Sequence, residues 1–415
     1  MSDELVQQSE AREPDTDRRR WPLPRSVALV LAALLGLYLL VAQLFAVVPV
    51  GWTSPLLQIF PVQTAMLILG SLRDSMGSWN LVLGIISVAL AVFAFRCGRP
   101  RRLTCTVAGI TGAGLALTIV TSAALVYSMH QHTGRWVLFA PAVPLAAVGG
   151  QPDRTVTYAT IDGQHMKADL YLPDNDGPVP LVVSIHGGGF SAGSRGPTPY
   201  TRWLADQGYA VLDVDYRLSD ATVHRWDTED ADVACAMTWA TAHADEYGWD
   251  MGRVATFGGS AGGNLAINVA NKINADALKP TCGDIADLPR VRAVVGIYPA
   301  VDLTASENDS AGGADVGRKY LGGSPAEYPE RYAATDSAPQ LSPRSPPTLL
   351  IQSGADHLVF ASHTADFADD LAAAGIPRRY VEVPFVEHAY DAAVLTTGAQ
   401  LGRELTLDWL RRYTG

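Results

Sequence analysis

No charged residue occurs between Ser26 and Leu72. A stretch of that length must lie either in a large apolar core or in lipid. Within it, Ser26–Val48 is apolar except for Gln43, long enough to cross a hydrocarbon layer of roughly 30 Å. A second uncharged run, Trp79–Phe95, and a third, Leu103–Met129, follow. The third is rich in Gly, Ala and Thr, which let helices approach closely in a membrane. Three such runs in so short a region are too many for core helices of a soluble domain. The first is also too long for the apolar part of a cleaved signal. No pattern of intramembrane acids or bases suggests transport, so the region 26–129 is expected to be a membrane anchor.

Leu56–Leu72 is different. It carries Gln58, Pro61 and Gln63 and is short, so by itself it fits a fourth span or a re-entrant or interfacial segment. The flanking charge narrows the choice. Arg12, Arg18, Arg19, Arg20 and Arg25 lie in the expected disordered tail, residues 1–25, and Arg96, Arg99, Arg101 and Arg102 precede the last run. Basic flanks prefer the cytoplasm. If both segments are cytoplasmic, an even number of crossings separates them. That predicts three spans (26–48, 79–95 and 103–129), a non-spanning 56–72, and an extracytoplasmic C-terminal part. A four-span arrangement would place the four-arginine loop outside. Residues 130–153, with Pro141, Pro144 and the Gly149–Gly150 pair, read as a linker, with Trp136 and Phe139 at headgroup level. His130 and His132 lack further ligands and read as solvated.

The charge is divided along the chain. Residues 1–150 hold 11 Lys and Arg against 7 Asp and Glu, whereas residues 151–415 hold 20 against 35. The net charge of −11 excludes the basic footprint of a nucleic-acid binder. Four cysteines in 415 residues exclude a disulfide-dense scaffold.

From Arg154 onward short apolar runs alternate with helical segments. Thr155–Ile161 and Met166–Leu172 read as strands joined by a turn at Asp162–Gly163. Leu181–Ile185, Ala210–Asp215, Val254–Phe257, Val291–Tyr298, Thr348–Gln352 and Arg379–Val383 read as further strands. Helices are expected around Tyr200–Gln207, over Glu229–Glu246, from Asn264, over Ser362–Ala374 and over Asp391–Tyr413, the last interrupted near Gly398. Such alternation predicts an α/β domain with a mainly parallel sheet covered on both faces.

Four pieces of this domain carry chemistry. Gly258-x-Ser260-x-Gly262 lies between a buried strand and a helix, the setting a strained nucleophile turn requires. His186-Gly187-Gly188-Gly189 follows a strand upstream of it. Consecutive glycines there let backbone N–H groups face a cavity, as an oxyanion needs. Asp356 follows the Thr348–Gln352 strand, and His388 follows the last strand. The order Ser260, Asp356, His388 is that of a nucleophile, an orienting acid and a base. Glu387 competes with Asp356 as the acid, but its adjacency to His388 gives poor geometry. His357 and His363 read as surface residues or residues supporting the acid. Asp215, Glu229 and Asp230 read as structural ion pairs.

These residues resemble the α/β-hydrolase superfamily. The closer resemblance is to its hormone-sensitive-lipase-like and acetyl-xylan/feruloyl-esterase-like carboxylesterases, over residues 154–415. It rests on His186-Gly-Gly-Gly-Phe190, Asp215-Tyr216-Arg217-Leu218, Glu229-Asp230, Gly258-Gly-Ser-Ala-Gly-Gly263 and the surroundings of Asp356 and His388. Gly259, where many lipase-like members have Asp, favours the acetyl-xylan-esterase-like branch. His388-Ala389-Tyr390 departs from the familiar His-Gly-Phe. The N-terminal cap helices of lipase-like members have no visible equivalent, because the membrane segment occupies their place; 302–345 is expected to form a small partial lid.

The resemblance implies the roles. Ser260 attacks an acyl carbonyl, His388 transfers the proton, and Asp356 orients the imidazole. The N–H groups of Gly188, Gly189 and Ala261 hold the oxyanion, and no metal or organic cofactor is needed. The expected activity is a membrane-anchored serine carboxylesterase acting on short-acyl esters of a small molecule, lipid or glycan. The alternatives are an envelope acyltransferase, a serine peptidase of the same fold, and an inactive binding module. In the resembled fold the helices bearing Cys235 and preceding Cys282 pack side by side. A bridge between these two cysteines and two unrelated thiols are both open readings.

Overall fold

The computed structural model describes residues 23–97, 102–140, 150–175, 177–283 and 286–415. The expected tail up to residue 22, Arg99, Arg101, Pro141, Pro144 and Gly149 lie outside them.

Five helices come first: α1 (Leu23–Val47), α2 (Val50–Leu57), α3 (Phe60–Met76), α4 (Trp79–Arg96) and α5 (Arg102–Thr133). Helix α1 begins three residues inside the stretch assigned to the tail. Helices α1, α4 and α5 are long and apolar enough to cross a membrane. They pack on one another through small residues: a Cβ at Gly114 of α5 would sit 3.1 Å from the Gly36 carbonyl of α1. The segment 56–72 does not form one helix. It breaks at Gln58–Ile59, and Pro61 occupies the first turn of α3, where its missing N–H costs nothing.

The remainder is one eight-stranded sheet with helices on both faces. In chain order it contains β1 (Arg154–Ile161), β2 (Gln164–Tyr171), β3 (Val179–Ile185), α6 (Thr201–Ala205), β4 (Ala210–Val214), α7 (Glu229–Ala242), α8 (Ala244–Tyr247) and β5 (Trp249–Gly259). Then come α9 (Ala261–Asn274), β6 (Val291–Ile297), α10 (Leu303–Asp309), α11 (Ala311–Val316), α12 (Pro329–Thr335), β7 (Thr348–Ser353), α13 (Ala361–Ala373), β8 (Arg378–Val383) and α14 (Thr397–Thr414). The strand order is β1-β2-β4-β3-β5-β6-β7-β8. Strand β2 runs antiparallel to both neighbours, and β3 to β8 are parallel. The β1–β2 turn falls at Asp162–Gly163, both at positive φ, as a two-residue hairpin turn requires.

The central strands β3, β4 and β7 are buried along their whole length, which is why they read as unbroken apolar runs. Two apolar clusters fill the space above and below the sheet. One packs α7 and α9 on it, and the other packs α6 and α14, with Met129 of α5 reaching into the second.

Three expectations are corrected. Strand β5 starts at Trp249, earlier than its apolar core Val254–Phe257 indicates. The helix expected over Glu229–Glu246 is two, with a break at His243. No helix starts at Asp391: a short 3-10 turn covers Tyr390–Ala392, and α14 begins where the Thr396 side chain accepts the Ala399 N–H.

Arg217 and Asp232 explain part of the family-like wording. The guanidinium pairs with buried Asp232 at 2.8 Å and with Asp162 of the hairpin turn at 2.7 Å. Asp215 pairs with Arg195, Asp230 with Lys272, and buried Glu229 accepts from Ser219. Asp215 and Asp230 are therefore structural ion pairs, as expected, whereas Glu229 is held by a hydroxyl rather than a cation.

Candidate active site

The candidate residues lie at the C-terminal ends of the parallel strands, where an open α/β sheet leaves its crevice. Ser260 follows β5 and has φ 57°, a left-handed conformation at a non-glycine residue. The turn closes through the Ser260 N–H to the Ile297 carbonyl at 2.9 Å. Its flanking glycines are required by close approach: a Cβ on Gly258 would strike the Gly262 carbonyl, and one on Gly262 would strike the Ile185 carbonyl. The helix α9 starts at the next residue, so the Ala261 N–H is at its N-terminus with no intrahelical acceptor.

Ser260 Oγ lies 3.0 Å from His388 Nε2, and His388 Nδ1 lies 2.8 Å from Asp356 Oδ2. Asp356 is 1% exposed and accepts the Leu358 and Val359 N–H groups on Oδ1 at 2.9 and 2.8 Å. Burial alone would lower the His388 pKa. The charge and hydrogen bond of Asp356, with Glu387 and Asp391 adding, outweigh it, and the pKa is raised. The structure thus brings together the three side chains that the sequence order selects.

Gly188 and Gly189 both have positive φ, and they line the same cavity as Ser260 and His388. Tyr216 supports this loop: its hydroxyl donates to the His186 carbonyl at 2.9 Å and its ring stacks on His186. Five non-glycine residues around the crevice, Phe190, Ser260, Tyr298, Phe385 and Ala389, have positive φ. Such strain persists where the surroundings over-determine the backbone.

Two cavities flank Ser260. One, of about 560 Å³, is lined by His388, Tyr298, Tyr200, Phe257 and Leu358. The other, of about 50 Å³, lies against Ala261, Leu303, Val316, Leu358 and Val359. Helices α10 and α11 from the expected lid segment form its wall, and Tyr320 from the same segment stacks on Phe190 at 3.9 Å.

Several residues of the site went unrecognised in the sequence. Tyr298, just after β6, packs its ring 4.7 Å from that of His388 and donates to Asp391 Oδ1 at 2.7 Å. Burial raises the Asp391 pKa against the hydrogen bond from Tyr298. The position of Tyr298 at the end of an apolar strand was the available signal. Of the two readings of His357, on the surface or supporting the acid, the first is excluded: it is buried, and its Nδ1 pairs with Glu387 Oε2 at 2.6 Å. Glu387 also accepts the N–H groups of His357 and His388 on Oε1, each at 2.9 Å. Glu387 therefore joins the acid and base loops without displacing Asp356. His363 pairs with Asp309 at 2.8 Å, away from the triad. Cys235 and Cys282 are bridged, with Cα atoms 5.8 Å apart, while Cys97 and Cys105 are free.

The fold has likenesses among known proteins. The family model BD-FAE matches residues 168–371. The chain is 30% identical over 230 residues to Esterase LipC of Mycobacterium tuberculosis, covering 54% of this chain and 56% of the relative. It is 28% identical over 265 residues to the ethyl acetate hydrolase of Pseudomonas putida, covering 59% and 78%. Among solved structures it is similar to a bacterial heroin esterase, with TM-score 0.53 and 25% identity over 71% of this chain and 90% of that one. The chain spans about half the length of the first curated relatives it matches, LipC at 56% and the probable carboxylic ester hydrolase LipM at 52%. A buried, mainly parallel sheet carrying a strained serine turn, together with these likenesses, gives the chain an α/β-hydrolase fold, similar to that of known carboxylesterases.

Proposed function

We propose that the protein is a membrane-anchored serine carboxylesterase. The observation that carries the reading is the continuous chain of contacts from Ser260 Oγ through His388 to Asp356, at 3.0 and 2.8 Å. Ser260 Oγ attacks the acyl carbonyl as His388 Nε2 takes its proton. Charge on the carbonyl oxygen develops toward the N–H groups of Gly188, Gly189 and Ala261, each worth about 3 kcal/mol in such a site. His388 then protonates the departing alkoxide, and Asp356 stabilises the imidazolium in between. Water, activated by the same imidazole, releases the acid from the acyl-enzyme.

The two cavities support a division of the substrate between them. The leaving oxygen must come within reach of His388 Nε2. His388 lines the cavity of about 560 Å³ and not the smaller one beside Ala261, which favours the larger for the alcohol. The acyl chain then takes the apolar space of about 50 Å³ beside Ala261, which fits a short chain. A series of p-nitrophenyl esters of rising acyl length tests this, with Ser260→Ala as the blank. Rates should fall beyond a few carbons. Equal rates for acetate and decanoate would contradict the short-acyl assignment, and labelling of the wild type by a fluorophosphonate separates an active enzyme from an inactive fold. Product analysis with added alcohol distinguishes hydrolysis from acyl transfer.

The anchor comprises α1, α4 and α5. Arg25 Nε donates to the Ala94 carbonyl at 2.8 Å, which puts the start of α1 beside the end of α4. Both arginine-bearing ends thus share one side, and Met129 near the end of α5 is buried in the hydrolase core. This supports three crossings with the catalytic domain outside the cytoplasm, and the bridge between Cys235 and Cys282 suits an oxidising compartment. Tags near residue 10 and at the C-terminus should lie on opposite faces of the membrane; tags on one face would overturn the three-span reading.

A further inference from the structure

Helix α3 is the segment with no place in the anchor. Its buried residues, Gln63, Met66, Gly70 and Arg73, form one stripe along the helix. That stripe faces the hydrolase loops as well as the neighbouring helix α1. Gln63 Nε2 donates to the His357 carbonyl at 2.9 Å, and its Oε1 accepts the Gly312 N–H at 2.8 Å. Asp74 Oδ2 accepts the Glu387 N–H at 2.6 Å. Asp74 is itself held by Arg73, which also donates to the Ala42 carbonyl of α1. Between these contacts Gly70 lies against Glu387, where a Cβ would stand 2.7 Å from Glu387 Cγ.

We propose that Gln63 and Asp74 are positioning residues, through which the helix between the first two candidate spans holds the catalytic acid and base in register. Each grips the main chain one residue away from a triad member: His357 follows Asp356, and Glu387 precedes His388. The His388 loop needs such support. It is an irregular segment beyond β8, between two residues at positive φ, Phe385 and Ala389, tied to the acid loop by a backbone bond from the Ala355 N–H to the Val386 carbonyl at 2.9 Å. Gln63 has a matching reason to be there. A buried amide must find partners, and both of its ends find them on the hydrolase. Misplacing a base by about 1 Å is enough to cost about 100-fold in rate. The inference deepens the esterase reading and rests on it.

The test uses the full chain in detergent, with ester hydrolysis normalised to active sites titrated by a fluorophosphonate. Gln63→Leu removes both amide contacts, and Asp74→Leu removes the acceptor, while Asp74→Asn keeps an acceptor oxygen. Gln63→Leu and Asp74→Leu should each lower kcat per titrated site by about tenfold or more, with KM within about twofold. Asp74→Asn should recover most of the loss, and Thr64→Ala, on the same helix, should behave as the wild type.

A second readout is the acid limb of the pH profile. His388 is faced by Asp356, Glu387, Asp391 and the Tyr298 ring. Loosening it from Asp356 removes an upward influence on its pKa, so the limb should move to lower pH. Fewer folded molecules would lower the titrated count but leave the limb in place. If the leucine variants yield no titratable sites, Gln63→Asn, whose shorter amide cannot keep both contacts, carries the same two readouts without adding charge. Unchanged kcat per site and an unmoved limb in the variants that fold would overturn the inference. A wild type that neither labels nor hydrolyses any ester would instead overturn the esterase reading, and this inference with it.

Discussion

His357 and Glu387 meet at 2.6 Å, both about 1% exposed, and each is the chain neighbour of a residue in the candidate triad. Besides the backbone bond from Ala355 to Val386, two side-chain pairs therefore join the acid and base loops: Asp356 and His388 toward the serine, and His357 and Glu387 toward α3. Glu387→Ala would leave two buried N–H groups and the His357 ring without their acceptor. It should destabilise the protein by about 3–5 kcal/mol, read by equilibrium denaturation in detergent. A loss under about 1 kcal/mol would show that the second joint is dispensable.

Ser260→Ala and His388→Ala should each lower kcat/KM by about four orders of magnitude or more, with the fold retained. Members of such a unit do not act additively, so the double variant should be little worse than either single one. Steady-state kinetics on an activated ester checks this; independent, multiplying losses would contradict the assignment.

The pH dependence follows from the same geometry. Asp356 and its acidic neighbours hold the His388 pKa above the usual value of about 6.5. Only the neutral imidazole can accept the serine proton, so kcat/KM should fall as pH drops through the raised value. The expected profile has its acid midpoint above about pH 6.5. A midpoint below about pH 6 would mean that burial outweighs Asp356.

Arg217→Ala should be costly for a reason unrelated to chemistry. It leaves Asp232, wholly buried, without the guanidinium that pairs with it. The expected loss is about 3–5 kcal/mol, measured by denaturation, with hydrolysis per folded molecule little changed. A variant as stable as the wild type would show that Asp232 finds another partner.

The bridge between Cys235 and Cys282 closes a loop with a sequence separation of 47 residues. In the chain-entropy model this contributes about 4 kcal/mol. Non-reducing mass spectrometry of the native protein should find these two linked and Cys97 and Cys105 alkylated. Four alkylated thiols without reductant would contradict the bridge and weaken the extracytoplasmic placement.

The sequence by itself determined whatever depends on neighbours along the chain. Uncharged runs marked the three long helices, because burying a charge in any apolar surrounding is expensive wherever it falls. Unbroken apolar runs marked β3, β4 and β7, because both faces of those strands are covered. The serine turn was legible because its glycines answer a local clash, and Ser260, Asp356 and His388 because each follows a strand. Only the tertiary structure decided what meets across the fold. The start of β5 at Trp249 depends on pairing with β3, which no local pattern encodes. The bridging of two cysteines, the Tyr298 ring against His388, and the hold of Gln63 and Asp74 on the catalytic loops join residues far apart in the chain. Their distances are set by sheet register, helix packing and where α3 comes to rest, and those are properties of the whole packed molecule rather than of any segment.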